Sequence, residues 1–220
     1  MFLTHPSKIC AAVVAALCLQ ANAQMQETPR QAFDRGVKAF MEARIDESVK
    51  AFDKVIQLEP EVKPQLWQRG LALYYADKFA EGREQFETHQ TVNPADVENA
   101  AWHFICVARI EGVEGARNHL IPIEGDARVP MKQVQELFAG KGSEAAVLEA
   151  AGAGDDEEKH NQLCYAHLYL GLYFEALKDT AKAKEHMLKA ANDYHMPHYM
   201  GEVARVHCKV RGWEGGEGGK

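Results

Sequence analysis

Four landmarks recur at one interval along the sequence and set its architecture. Gly36 and Gly70, Ser48 and Gly82, Phe52 and Phe86, and Pro60 and Pro94 are each separated by 34 residues. A period of this size marks stacked copies of one supersecondary unit, none of which buries its apolar face alone. Small residues where two helices of a unit cross (Gly36 with Ser48, Gly70 with Gly82) let the backbones approach closely. Phe52 and Phe86 then fill the space toward the next unit. Pro has no N–H to donate inside a helix, so Pro60 and Pro94 end one helix and open the next. No stretch shows the sustained two-residue alternation of a strand. The expected fold class is all-α.

A third unit falls near Phe104, Ala116 and Leu120, but Phe104 replaces the Gly, and Leu120-Ile121-Pro122 leaves its second helix short. A further clear unit carries Gly171, Ala183 and Met187 at the same internal spacing. Between them, Val134, Leu137 and Phe138 form one apolar stripe, and Ser143 is placed as N-cap of a second helix bearing Val147 and Leu148. Gly152 to Lys159 reads as an acidic, solvated linker. Pro197 starts a last helix with Met200, Val203, Ala204 and Val206 on one face, where a helical array needs a terminal cap. Thr28-Pro29 with Gln31 fits a capping box with Pro in the first turn, and Asn93-Pro94 with Asp96 repeats the arrangement.

The Gly, small, aromatic and Pro landmarks at these spacings resemble the tetratricopeptide repeat. The resemblance implies a right-handed solenoid of helical hairpins with an interrupted middle and a C-terminal capping helix. Its register places Phe33, Val37, Phe40 and Met41 of the first unit on the concave face. Trp67, Leu71, Tyr74 and Tyr75 of the second join them, with Leu168, Leu172, Glu175 and Ala176 of the last. Solenoids bind polypeptide segments along such a face, and the Trp67/Tyr74/Tyr75 cluster supplies aromatic anchors. The alternative is that these aromatics pack against the neighbouring hairpins. The groove lacks the Lys/Arg clamp that tetratricopeptide co-chaperones use for acidic tails. In layout the chain is also similar to adaptor lipoproteins of the NlpI type, whose arrays are interrupted in the same way. That likeness implies an exported adaptor that holds envelope enzymes or proteases near their substrates.

The address is written at the N-terminus. Lys8 precedes an apolar run of eleven residues from Ile9 to Leu19, followed by Ala21-Asn22-Ala23. This order is that of a secretory signal peptide cleaved after Ala23, and the run is short of the roughly 20 residues that span a bilayer. Leu17 before Cys18 and Ile9 before Cys10 do not make a lipobox, so the expectation is a periplasmic or secreted protein without a lipid anchor. Retention of the segment as an anchor is the alternative. The expected organisation is a signal peptide at 1–23, hairpin units at 24–128, a short helical pair and linker at 129–159, the last unit and capping helix at 160–211, and a Gly-rich flexible tail at 212–220. A formal charge of −7 from 25 basic and 32 acidic side chains, with no basic block, leaves no footprint for nucleic acid.

Chemistry is sparse. Cys106, Cys164 and Cys208 follow the signal, widely spaced and without C-x-x-C. They read as small buried hydrophobes or, in an oxidising compartment, as one disulfide with a leftover thiol. Nucleophile elbows, phosphate loops and H-E-x-x-H are missing. Asp155-Asp156-Glu157-Glu158 lacks the spaced ligands of a Ca²⁺ loop. His195-Met196-Pro197-His198 with Glu202 offers donors that zinc accepts, although Pro197 separates the two histidines. Asp126 and Arg128 either pin a loop or serve a groove. The leading expectation is an interaction module with no cofactor and no catalysis of its own. A His-rich metal-binding protein and a structural homodimer are the other readings.

Overall fold

The computed structural model describes residues 27–213. The expected signal segment and most of the Gly-rich tail lie outside them. Among the described residues there are ten α-helices and no strand, so the chain is all-helical. None of these helices is long and apolar enough to cross a membrane.

Three helical hairpins share one construction. The first pairs α1 (Pro29–Met41) with α2 (Ile45–Leu58). The second pairs α3 (Trp67–Tyr75) with α4 (Phe79–His89). In each, the repeat glycine lies under an aromatic ring sixteen residues on. A Cβ on Gly36 would stand 2.8 Å from the Phe52 ring, and one on Gly70 would stand 2.5 Å from that of Phe86. Ser48 donates its hydroxyl to the Gly36 carbonyl at 2.9 Å, across the same crossing.

The helical turns match as well. Ala43, Asp77 and Lys178 adopt left-handed backbone with φ of 59°, 56° and 63°, each seven residues after its glycine. The following amide reaches back five residues in every case: Arg44 to Ala39, Lys78 to Leu73, Asp179 to Phe174. This is the Schellman closure of a helix end, here made without the usual glycine. The third such hairpin, described below, begins from Gly171, whose Cβ would meet the Met187 side chain at 2.8 Å.

Between the second hairpin and the third the pattern changes. α5 (Val97–Asn118) is broken at Gly112, whose φ of 80° and ψ of 172° leave a short segment 113–118. Phe104 stands where the other units have Gly. Its ring packs edge-on to Phe138 at 5.0 Å. Phe138 comes from α6 (Met131–Phe138), which α7 (Glu144–Ala151) follows. The third hairpin pairs α8 (Asp156–Ala176) with α9 (Thr180–Leu188). A π turn over Lys189–Asp193 and α10 (Tyr199–Arg211) end the array.

Helix starts agree with side-chain chemistry. Thr28 and Gln31 form the expected capping box, and Ser143 caps α7. Four starts differ from expectation; the last helix begins at Tyr199 behind His198 as N-cap and not at Pro197. Pro60 opens a 3₁₀ turn (Pro60–Gln65) that contains Pro64, which postpones α3 to Trp67. Asp96, not Asn93, caps α5, because its carboxylate accepts the Glu98 amide. The acidic run is not all linker. Asp155 and Glu158 form a capping box, and Asp156, Glu157 and Glu158 lie in the first turn of α8, where the helix dipole favours negative charge.

α10 does more than cap the last hairpin. Besides packing on α8 and α9, it returns to the first helix of the array. Tyr199 stacks on Phe40 of α1 at 5.6 Å and meets Trp67 of α3 edge-on at 4.9 Å. One apolar core runs from Phe40 to Cys208, with a small satellite of Ala32, Val55 and Leu66. Cys106 and Cys164 are buried free thiols, and Cys208 is buried with them.

Two substitutions test this construction. Gly70→Ala overpacks the crossing and should lower stability by about 1–3 kcal/mol in urea melts, part of which Phe86→Leu in the same chain should restore. Ala43→Gly relieves left-handed backbone and should raise stability by about 1 kcal/mol. The reverse sign at either position would contradict the shared hairpin geometry.

Candidate binding site

The concave-face residues expected from the repeat register fall into three groups. Phe40, Leu71, Tyr74, Tyr75, Leu168 and Leu172 are buried in the core. α10 lies over part of this surface, so these six side chains present almost nothing to an arriving ligand. Phe33, Val37, Met41, Trp67 and Ala176 are half-buried, with Phe33 edge-on to Phe52 at 5.8 Å. Glu175 is an internal ion-pair centre.

Glu175 joins four helices. Its Oε2 accepts the Tyr74 hydroxyl at 2.7 Å, and its Oε1 accepts Arg211 Nε at 2.6 Å. His207 Nε2 lies 3.7 Å away and Arg109 4.0 Å away. Burial opposes its charge, but His207, Arg211 and Tyr74 more than offset this, and its carboxyl sits below the usual range. Tyr75 shares a hydrogen bond with His207 Nδ1 at 3.0 Å, and the His207 ring meets Trp213 at 5.1 Å.

A second polar cluster sits at the start of α5. Arg128 Nη2 donates to Asp96 at 2.6 Å and to Asp126 at 2.7 Å, and Nη1 donates to Glu98. The Tyr169 hydroxyl of α8 donates to the other oxygen of Glu98. Asp126 also accepts the Val97 amide at 3.1 Å. Asp126 and Arg128 therefore pin the 120–128 loop onto the N-terminus of α5, and the same contact gathers three carboxylates around one guanidinium. Burial pushes the Glu98 carboxyl up to about 7, against the hydrogen bonds from Tyr169 and Arg128.

Beside that cluster lies a partly open cavity of about 170 Å³. Trp67 of α3, Phe86 and His89 of α4, Asn99 and Trp102 of α5 and Met200 of α10 line it, with Asp96 and Glu98. Phe86 and Trp102 stack at 6.5 Å. His89 bonds the Pro64 carbonyl through Nδ1 at 2.8 Å, which fixes its ring. Asn99 Oδ1 and Trp102 Nε1 are buried without a hydrogen-bond partner. Two wider depressions, of about 690 and 920 Å³, follow the 120–126 loop and the break in α5. Loop and turn residues form much of their walls.

The histidines expected as metal donors are engaged singly. His195 Nε2 pairs with Glu202 at 2.7 Å, while His198 turns Nδ1 onto the Met200 amide as N-cap of α10. Among the described residues no group of three or more His, Cys, Asp or Glu side chains could hold a metal ion. His167 and His186 form a buried pair, Nδ1 to Nδ1 at 2.8 Å, stacked between Tyr194 and Phe174.

Of the residues around the cavity, the repeat register marked Trp67 as groove-facing and Phe86 as a packing landmark. Glu98, Asn99 and Trp102 escaped because the third unit was read as degenerate. The signal was present: Glu98 is followed by ten residues without Asp, Glu, Lys or Arg, and a carboxylate at the edge of such a run needs a partner. The sequence matches no protein-family model.

The buried imidazoles set an acid limit. Burial holds His167 and His207 at about 4, against about 6.5 in an unfolded chain. Facing His167 are His186 and Tyr194, with Glu144, Glu185 and Lys189 nearby; facing His207 are Tyr75, Glu175, Arg211 and Trp213. Between those values the unfolded chain binds more protons, so stability is complete above about pH 6.5 and falls toward pH 4, by on the order of 3 kcal/mol per histidine. Glu98, raised in the fold, works the other way over about pH 4.5–7. Thermal melts should therefore fall steeply from pH 7 to 4.5, and Glu98→Gln should steepen the fall. A flat profile would contradict the buried neutral histidines.

Proposed function

We propose that the protein is an exported interaction module, built as a tetratricopeptide-type array, that grips a polypeptide segment and performs no catalysis of its own. The observation that carries this reading is the aromatic cavity at Trp67, Phe86, Trp102 and Met200. Its volume, about 170 Å³, is close to the roughly 150 Å³ that accommodates a benzene ring. That is well below the roughly 300–1,000 Å³ of sites for whole small-molecule ligands. It suits one side chain of a larger partner. Three aromatic walls are the kind of surface on which interface energy concentrates.

Support for the repeat assignment comes from the three glycines under side chains sixteen residues on, and from the shared left-handed turn. Export rests on the segment at 1–23, and the partners that fit it are envelope polypeptides. The non-catalytic reading draws on the thiols: burial pushes Cys164 up to about 11 and Cys106 higher still. Both stay protonated at neutral pH, the opposite of an activated nucleophile.

Trp67 and not Tyr74 is the residue to vary. Tyr74 is buried and bonded to Glu175, so its truncation should cost about 3–5 kcal/mol of stability and confuse binding with folding. Selection from a displayed random-peptide library on the purified protein should enrich related sequences. Trp67→Ala should weaken the selected peptides at least tenfold with an unchanged circular dichroism spectrum. Failure to enrich any sequence, or equal binding by the variant, would refute the reading.

A further inference from the structure

The polypeptide-binding reading leaves open which side chain enters the cavity, and on that reading we propose that it is a basic one, the ammonium of a lysine or the guanidinium of an arginine in the bound segment. Three aromatic rings, Trp67, Phe86 and Trp102, wall the cavity, and aromatic rings attract a cation that reaches a face. Asp96 and Glu98 line the same cavity. With Asp126 they set three carboxylates against the single guanidinium of Arg128, so the cluster is negative even when Glu98 carries a proton.

Arg128 is occupied by all three acids and cannot turn to meet an anion. An uncharged apolar side chain would dehydrate Asp96 and Glu98 with nothing in return. Asn99 Oδ1, buried and without a donor, adds an unfilled acceptor to the wall. A basic side chain meets the acceptors of the wall, with an apolar stem against Met200 and the rings and donors at the acidic end; the Trp102 indole N–H, itself a donor, gains no partner from it. A cation there favours ionised Glu98, so binding near neutral pH expels a proton. The groups facing Glu98 are Asp96 on its own helix, Asp126 and Arg128 on the loop, and Tyr165 and Tyr169 on α8.

The test uses n-butylammonium, n-butylguanidinium, the neutral n-pentanol and the anion n-valerate. Indole N–H signals of Trp67 and Trp102, assigned with Trp→Phe variants, report the titrations. Both cations should bind at least tenfold more tightly than pentanol, and valerate should not bind. Affinity for the cations should rise between pH 6 and 8. Asp96→Asn, which keeps an N-cap side chain, and Glu98→Gln, each confirmed folded, should reduce the preference to threefold or less when combined.

Pentanol binding as tightly as the cations, or no movement of either indole signal, would overturn the inference, and the peptide library would still judge the polypeptide reading. Cation binding with no peptide enriched would sustain the cavity's preference and defeat that reading.

Discussion

A single, mostly buried carboxylate ties the second hairpin to the C-terminal end of the array. Glu175 sits at the end of α8 and accepts from Tyr74 of α3 and Arg211 of α10. Arg109 of α5 completes its surroundings. An ion pair of this kind is poor evidence for stability, since dehydrating the charges costs about as much as pairing them returns. Its value is geometric, because each partner left alone would be an uncompensated buried polar group. With Arg211 held at one end, the rest of α10 has a fixed course. That course lays Tyr199 on Phe40 and brings Met200 to the wall of the cavity.

The cavity is thus a joint product of local and distant structure. Trp67 and Phe86 are positioned by a hairpin whose geometry Gly70 permits. Trp102 stands on α5, and Glu98 and Asp96 are arranged by a loop returning from residues 120–128. Met200 arrives from the far end of the chain. The walls come from four separate parts of the chain, which keeps the space from collapsing. A void that one helix could fill by shifting would be filled.

How much of this was legible beforehand follows from the range of each interaction. The hairpins were readable because their determinants lie within one repeat: Gly36 with Phe52, Gly70 with Phe86, Gly171 with Met187. The caps at Thr28 and Ser143 were readable for the same reason. The path of α10 was not, because nothing near residues 199–211 specifies that Tyr199 will meet Phe40, more than 150 residues earlier. That path decided the fate of the expected groove, since register alone marked Tyr74 and Leu168 as facing inward but could not say what lay inside. Asp126 and Arg128 stand out in the sequence because they break the repeat, whereas the partners of Glu98, Tyr169 and Arg128, lie 71 and 30 residues away and leave no local mark.

The meeting of α10 with α1 also changes what kind of object the array is. In an open stack each unit touches only its neighbours, and the ends can fray, be trimmed or gain copies without disturbing the middle. Here the first described helix leans on the last, so neither end of the described array is free of the other. An inserted hairpin would carry Phe40 out of reach of Tyr199, and a deleted one would force them to overlap. The number of units is therefore fixed by closure, as the number of staves is fixed by the hoop of a barrel.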